Sequence, residues 1–187
     1  MSRWEPNARG RLEEAALELY TERGFDETTV AEIAERAGLT ERTFFRYFTD
    51  KREVLFGGQD ALLDIFVSRI ADAPEAMSPI DAVGAALEAV APVFDGRHKQ
   101  ARRRQAVVAA NPSLQERELI KLSSIAAAIA EGLRTRGTGE TASKLAAEAG
   151  VAVFKVAFDR WVNEGRKDEL PLFIRESLDE LKAISRG

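Results

Sequence analysis

The sequence predicts an all-α chain of about nine helices, a small N-terminal group followed by a larger C-terminal one. Apolar residues recur at helical spacing almost throughout the 187 residues. The alternating β-branched runs that would mark strands are missing. Helix-start and helix-stop signals punctuate the chain at short intervals. Hydrophobic residues at 45% and charged residues at 31% supply a core and exclude a disordered chain. The length sits just above the usual single-domain size, which suits two small domains.

Leu12, Ala15, Ala16 and Leu19 make one face of a first helix, with Gly24 as its stop. A short second helix opens at Thr29, which stands three residues before Glu32 at capping-box spacing, and ends at Gly38. A third starts near Thr40 and covers Glu41 to Tyr47. Asp50 and Glu53 repeat the capping spacing and predict a longer helix over 50–72 through Leu55, Leu62, Leu63, Phe66 and Ile70. The stretch from Asp72 to Pro79, with prolines at 74 and 79, is the clearest break. Beyond it a stripe through Ile80, Val83, Leu87, Val90 and Phe94 ends near Asp95-Gly96. Further helices are expected over 97–110, 112–136, 140–163 and 169–185, separated by Asn111-Pro112 and by Gly137-Thr138-Gly139. The domains expected are 1–56 and 57–187, with the helix over 50–72 linking them.

Composition excludes several functions. With no Cys there is no disulfide framework, thiol nucleophile or thiolate zinc site, and one His forbids a multi-histidine metal site, so no metal is expected. Ser-His-Asp catalysis would have to use His98, which sits among cations that disfavour an imidazolium, and no glycine-rich phosphate loop follows a strand. No catalytic residue is assigned and no enzyme is expected. No stretch approaches the roughly 18 apolar residues of a membrane span. The N-terminus lacks the apolar run of a signal peptide, so the expected location is the cytoplasm. The net charge of -4 gives no global attraction to nucleic acid.

The specific signal lies between residues 28 and 51. A helix-turn-helix needs a small residue where its helices cross, and Ala34 stands there. Four residues later Gly38 suits the positive φ of the turn. Ile33, Ala37, Leu39 and Phe44 supply the anchors that lock the helices, and Phe48 joins the core. An ordinary helical hairpin accounts for Phe44 and Phe48. It accounts less well for Thr40, Arg42, Thr43, Phe45, Arg46, Tyr47 and Lys51, which mix donors and rings on the exposed side of a short helix. In a DNA-binding helix-turn-helix the second helix enters the major groove. There Arg42 can pair with guanine and Thr43 can touch a thymine methyl. The hydroxyls of Thr29, Thr40 and Tyr47 and the Lys51 ammonium suit phosphates.

The run from Thr28 to Leu55, with Ala15 to Phe25 before it, resembles the DNA-binding domain of TetR-family transcriptional regulators. The resemblance implies a homodimer of all-helical subunits, usually a repressor released from a pseudo-palindromic double-stranded operator by a small molecule. Two residues depart from the family pattern. Phe45 stands where a tyrosine is common, which removes a hydroxyl from the phosphate contacts. Arg42 stands where many members carry glycine, which makes it a candidate specificity determinant. An activator, a ligand-independent regulator, or a helical interaction module without DNA binding stay open as alternatives.

In the C-terminal half, Val151, Phe154, Phe158 and Trp161 form a bulky stripe on helix 140–163, and Ala142, Ala146, Ala149, Val153 and Ala157 a slim one. The family resemblance implies that this helix and the last dimerise as a four-helix bundle. The expected dimer face holds Ala146, Ala149, Val153 and Ala157 with Phe173, Leu178 and Leu181; ordinary intrachain core is the alternative. The run Arg97-His-Lys-Gln-Ala-Arg-Arg-Arg104 has five cations and no acid. It reads either as a solvated face or as a site for an anionic effector. The segment through Arg117 is similar to the ligand domain of a TetR subgroup whose effectors include fatty acyl-CoA thioesters. A pocket lined by Phe66, Leu87, Phe94, Phe154 and Phe158, with Arg103 at its mouth, would suit such an effector. Residues 1–56 carry 9 Lys/Arg and 12 Asp/Glu. Arg3, Arg9, Arg11, Arg42, Arg46, Lys51 and Arg52 are the cations expected to gather on the DNA side, and non-specific binding is expected to be weak.

Overall fold

The computed structural model describes residues 7–164 and 169–186, apart from the side chains of residues 59 and 60. It divides into two compact units. One is the chain up to Gly57 together with Arg103–Glu118; the other is Gly58–Arg102 with the chain from Leu119 onward. The N-terminal unit is thus discontinuous, drawing in a second segment from far along the chain.

In the N-terminal unit, α1 (Ala8–Arg23), α2 (Val30–Arg36) and α3 (Glu41–Tyr47) form at the expected places. Each boundary has a local cause. Thr29 accepts the Glu32 amide while Glu32 accepts the Thr29 amide, so the capping box is complete. Thr40 caps α3 by accepting the Thr43 amide at 3.2 Å. Between them, Leu39 donates to the Ala34 carbonyl at 2.8 Å and Gly38 to that of Glu35 at 2.9 Å, the paired bonds of a Schellman turn. Gly38 has φ 65°, the left-handed conformation that such a turn requires. Leu12, Ala16, Leu19, Ile33, Phe44 and Phe48 form the core. Val107, Val108 and Leu114, from the end of α6 (His98–Ala109) and the start of α7 (Pro112–Thr135), complete it.

The expected helix over 50–72 is two elements. Asp50 does accept the Arg52 and Glu53 amides, at 2.8 and 3.3 Å, but the turn it starts is a short 3-10 stretch, Glu53–Phe56. The chain is extended at Gly57 and left-handed at Gly58 (φ 89°), which a right-handed helix cannot pass through. A new helix, α4 (Gln59–Asp72), then begins in the second unit.

The second unit is organised around α5 (Pro79–Val90). Ser78 caps it, Pro79 opens it, and Ala82, Val83, Ala86, Leu87 and Val90 are buried. It packs against α4, α8 (Glu140–Glu164) and α9 (Leu170–Ser185), and α8 packs against α9. The expected stripe to Phe94 changes character at Pro92, where α5 gives way to a 3-10 turn, Ala91–Phe94. Trp161, Ile174, Ile129, Leu133 and Ile70 fill the core. Gly150 on α8 lies directly on Val83, where an added methyl group would collide with the branched side chain. Gly150→Ala should therefore cost about 1–3 kcal/mol through overpacking. Urea unfolding followed by circular dichroism would measure it, and an unchanged midpoint would show that α5 and α8 yield without cost.

Candidate nucleic-acid interface

The inner face of α3 is closed. Phe44 is fully buried and Phe48 nearly so, their rings 5.4 Å apart. Ile33 and Ala34 are buried, Gly38 holds the turn at φ 65°, and Leu39 is partly buried against the cluster. The outer face presents Arg42, Phe45, Arg46 and Tyr47 to solvent, and Thr43 stands half-buried beside them. Arg42 has no partner among the described residues. Phe45 is 55% exposed and rests edge-on against Phe44 at 5.4 Å. The Arg46 guanidinium lies over the Tyr47 ring, 5.0 Å from its centroid, and donates to its hydroxyl at 3.1 Å.

Not every predicted contact residue is available in the same way. The Thr40 and Thr43 hydroxyls lie 3.1 Å apart and share a hydrogen bond, so both are occupied at the start of α3. Thr29 gives its hydroxyl proton and its amide to Glu32. Hydrogen bonds from the Thr29 amide and hydroxyl, and then from Arg23, hold the Glu32 carboxyl below its usual range.

Lys51 differs most from expectation. Its ammonium donates to the carbonyls of Phe25, Asp26 and Thr28 at 2.9, 3.1 and 2.9 Å, and sits 4.5 Å from the Phe25 ring centroid. All three donors are used inside the chain, so Lys51 is a clamp on the α1–α2 loop and not a free phosphate ligand. Tyr20 reinforces it by donating its hydroxyl to the Lys51 carbonyl at 2.6 Å, and burial raises that phenol well above its usual range.

The other cations expected on the DNA side are mostly committed as well. Arg9 pairs with Glu13 and lies over Phe48; Arg11 donates to the Ala37 carbonyl beside the Gly38 turn; Arg52 pairs with Asp50. Arg3 lies outside the described residues. Behind them, Arg36 binds Glu22 and Glu18 on α1, which raises its pKa and lowers that of Glu22. Among the described cations up to Gly57, Arg42 and Arg46 alone lack a carboxylate or backbone partner.

The basic run divides between the two units. Arg103 is in the N-terminal unit, paired with Glu14 at 3.2 Å, whereas the aromatic residues expected to share a pocket with it belong to the other unit. Arg104 donates to the Leu55 carbonyl at 2.7 Å, pairs with Glu118 and covers the Phe56 ring. Arg117 pairs with Glu53 at 2.5 Å. These three arginines fasten segment 103–118 to its own unit. Arg97, Lys99 and Arg102 stay exposed in the second unit, without partners among the described residues.

In that unit Phe66, Leu87 and Phe154 line a small cavity with Leu62, Val90, Leu122, Ile125, Ile129 and Val151. Its volume is about 20 Å³, room for roughly one water. Phe94 and Phe158 are not in its lining; they contact Phe154 at 6.1 and 5.6 Å and pack edge-on and tilted against Trp161 at 6.1 and 5.5 Å. His98 stands edge-on to Trp161 at 4.9 Å, and its Nε2 donates to the Trp161 carbonyl at 2.9 Å, a packing role.

The expected dimer face is largely occupied within the chain. Ala146, Val153, Ala157, Phe173 and Leu178 are buried in the unit's own core, Leu178 lying on Gly84. Leu181 is partly buried against it. Ala149 is half-buried and continues an outer stripe that pattern reasoning passed over. Leu145, Ala152 and Val156 stand exposed at i, i+7 and i+11 on α8, with exposed Leu172 and Ile184 on α9. The missed signal was the outward phase of apolar residues on α8.

The class is defined by the N-terminal helices α1 to α3, their Schellman turn and the outer face of α3, together with a larger helical unit: a helix-turn-helix DNA-binding protein with an all-helical C-terminal domain. Residues 12–57 match the model of bacterial regulatory proteins of the tetR family, and residues 77–185, more than half of the chain, match the MftR C-terminal domain. The chain is 37% identical over 82 residues to the HTH-type transcriptional regulator TcmR of Streptomyces glaucescens, a match covering 44% of this chain and 36% of TcmR. It is 25% identical over 156 residues to MftR of Mycobacterium tuberculosis, named for transcriptional regulation of mycofactocin biosynthesis, covering 82% of this chain and 79% of that one. Thermus thermophilus FadR, a TetR-family repressor solved with lauroyl-CoA, shares the fold with a TM-score of 0.51 at 23% identity, over 93% of each chain. The chain belongs to the TetR family of DNA-binding transcriptional regulators and carries the MftR type of C-terminal domain. It is a regulator and not an enzyme. No helix among the described residues is long and apolar enough to cross a membrane.

Lys51→Ala should destabilise the N-terminal unit by about 1–3 kcal/mol, because three carbonyls lose a charged donor. Denaturation of the full chain checks this. Weakened DNA binding with unchanged stability would return Lys51 to the phosphates.

Proposed function

We propose that the chain is a cytoplasmic, homodimeric repressor that leaves a pseudo-palindromic operator when an apolar small molecule enters its C-terminal unit. The observation that carries the DNA half is the outer face of α3, where Arg42, Phe45, Arg46 and Tyr47 are exposed on a helix pinned from behind by Phe44. A helix-turn-helix monomer reads only half a site, so two copies are needed. The outer stripe Leu145, Ala149, Ala152 and Val156 of α8, with Leu172 and Ile184 of α9, is the apolar surface that supports a dimer face.

The effector half rests on the nine apolar residues around the 20 Å³ cavity. Anything larger than a water enters only if this lining repacks. An effector therefore binds the opened form and not the closed one, and differential affinity of that kind is what shifts a two-state equilibrium. An acyl chain matches the lining, and the exposed Arg97, Lys99 and Arg102 of the same unit supply cations for the phosphates of a fatty acyl-CoA. Lauroyl-CoA is the molecule held by the related FadR.

Selection of bound duplexes from a random pool tests the DNA reading, and a palindromic consensus is expected. With so few uncommitted cations on the reading head, the dependence of affinity on salt should be shallow, about four to six released counterions per dimer. Arg42→Ala should relax preference at one base position by about 1–3 kcal/mol; equal losses on operator and random DNA would remove that role. Leu145→Glu with Val156→Glu should give a monomer by light scattering, with helix content unchanged. A persistent dimer would move the interface elsewhere. Lauroyl-CoA should release the operator where CoA alone does not, and release by neither would discard the acyl reading.

A further inference from the structure

Phe45 is the one aromatic ring on the exposed face of α3 with no polar atom to offer DNA. It is 55% exposed, and its edge-on contact with the fully buried Phe44 holds it in place at 5.4 Å and 82°. Pinned in this way, it meets a partner without first losing rotamer freedom. It follows Arg42 by three residues, so on an α-helix the ring and the guanidinium leave the axis about 60° apart and face neighbouring positions of one groove. Phosphate oxygens offer an apolar ring nothing. In the major groove the apolar group within reach is the 5-methyl of thymine, and a phenyl ring is among the side chains that pack against it.

We propose that Phe45 reads a thymine methyl in each half-site, beside the base addressed by Arg42. This rests on the DNA-binding reading above and adds to it a second, apolar specificity contact next to the polar one. The hydroxyl that a tyrosine would bring to position 45 would have to be desolvated against the methyl, whereas Phe45 has none to desolvate.

The test uses the full chain and the duplex it selects from a random pool. Each thymine is replaced in turn by deoxyuridine, which removes the methyl and keeps every hydrogen-bonding group. One replacement per half-site is expected to weaken wild-type binding about three- to fivefold, the worth of one buried methyl. Phe45→Ala should bind the thymine and uracil duplexes equally, and Arg42→Ala should keep the discrimination. Because Phe45 is exposed, the thermal unfolding of Phe45→Ala should match that of the wild type. The proposal is overturned if no thymine is sensitive or if Phe45→Ala keeps the penalty. A uniform loss on all sequences would place the ring on the sugar–phosphate backbone and overturn it too. If the wild-type chain selects no DNA, the DNA reading itself fails, an outcome distinct from the others.

Discussion

A seven-residue helix has almost no stability of its own, since its first turn costs as much order as its hydrogen bonds return. Helix α3 exists because Phe44 is driven into the space between α1 and α2, where none of its surface meets water. Burying such a ring is worth about 1.5–3 kcal/mol, enough to hold a single two-turn element. The whole exposed face of α3 hangs from that contact. Phe45 leans on Phe44, and Arg42 and Arg46 take their directions from the helix axis that Phe44 sets. The Schellman turn at Gly38 and the cap at Thr40 settle where the helix begins, and Phe44 settles how it is rotated.

Helix ends whose cause is local were legible in the sequence. Thr29 with Glu32, Thr40, Gly38, the break ending at Pro79, and Asn111-Pro112 each act within a few residues, and the observed boundaries follow them. The break at Gly57-Gly58 was passed over because the apolar stripe from Leu55 to Ile70 keeps its period across it. The clamp at Lys51 is hidden from the sequence for a different reason. Its partners are backbone carbonyls 23 to 26 residues earlier, and carbonyls leave no mark in a sequence. The slim stripe of α8 is equally suited to a partner's helix and to α5. The burial of Ala146, Val153 and Ala157 in the unit's own core shows that the chain uses much of it internally. Arg103 and Arg104 are sequence neighbours of Arg102 yet belong to another unit, a division that no local pattern encodes.

The charge of the reading head has a physical logic. Its many acids are not wasted on the DNA side, because Glu18, Glu22 and Glu32 hold arginines that brace α1 against α2, and Asp50 holds Arg52 within its own turn. Exposed pairs of this kind contribute little each to stability. Their larger effect is to leave few cations for indiscriminate attraction to phosphate, and in the proposed reading discrimination then falls to the groups on α3. A regulator that must ignore most of a genome benefits from a weak general affinity.

Segment 103–118 bears on how this architecture can be recombined. Val107, Val108 and Leu114 complete the core of the N-terminal unit, and Arg103, Arg104 and Arg117 bind it at Glu14, Leu55 and Glu53. The reading head is therefore discontinuous in the gene. A chimera that joins this head to a foreign sensor by cutting once near Gly57 would leave an apolar face uncovered and three acceptors unmet. A transplant that respects the fold carries two segments, the second lying within helices α6 and α7. Evolutionary exchange of reading heads faces the same constraint, and substitutions at Glu14, Glu53 or Glu118 are expected to travel with those at Arg103, Arg117 and Arg104.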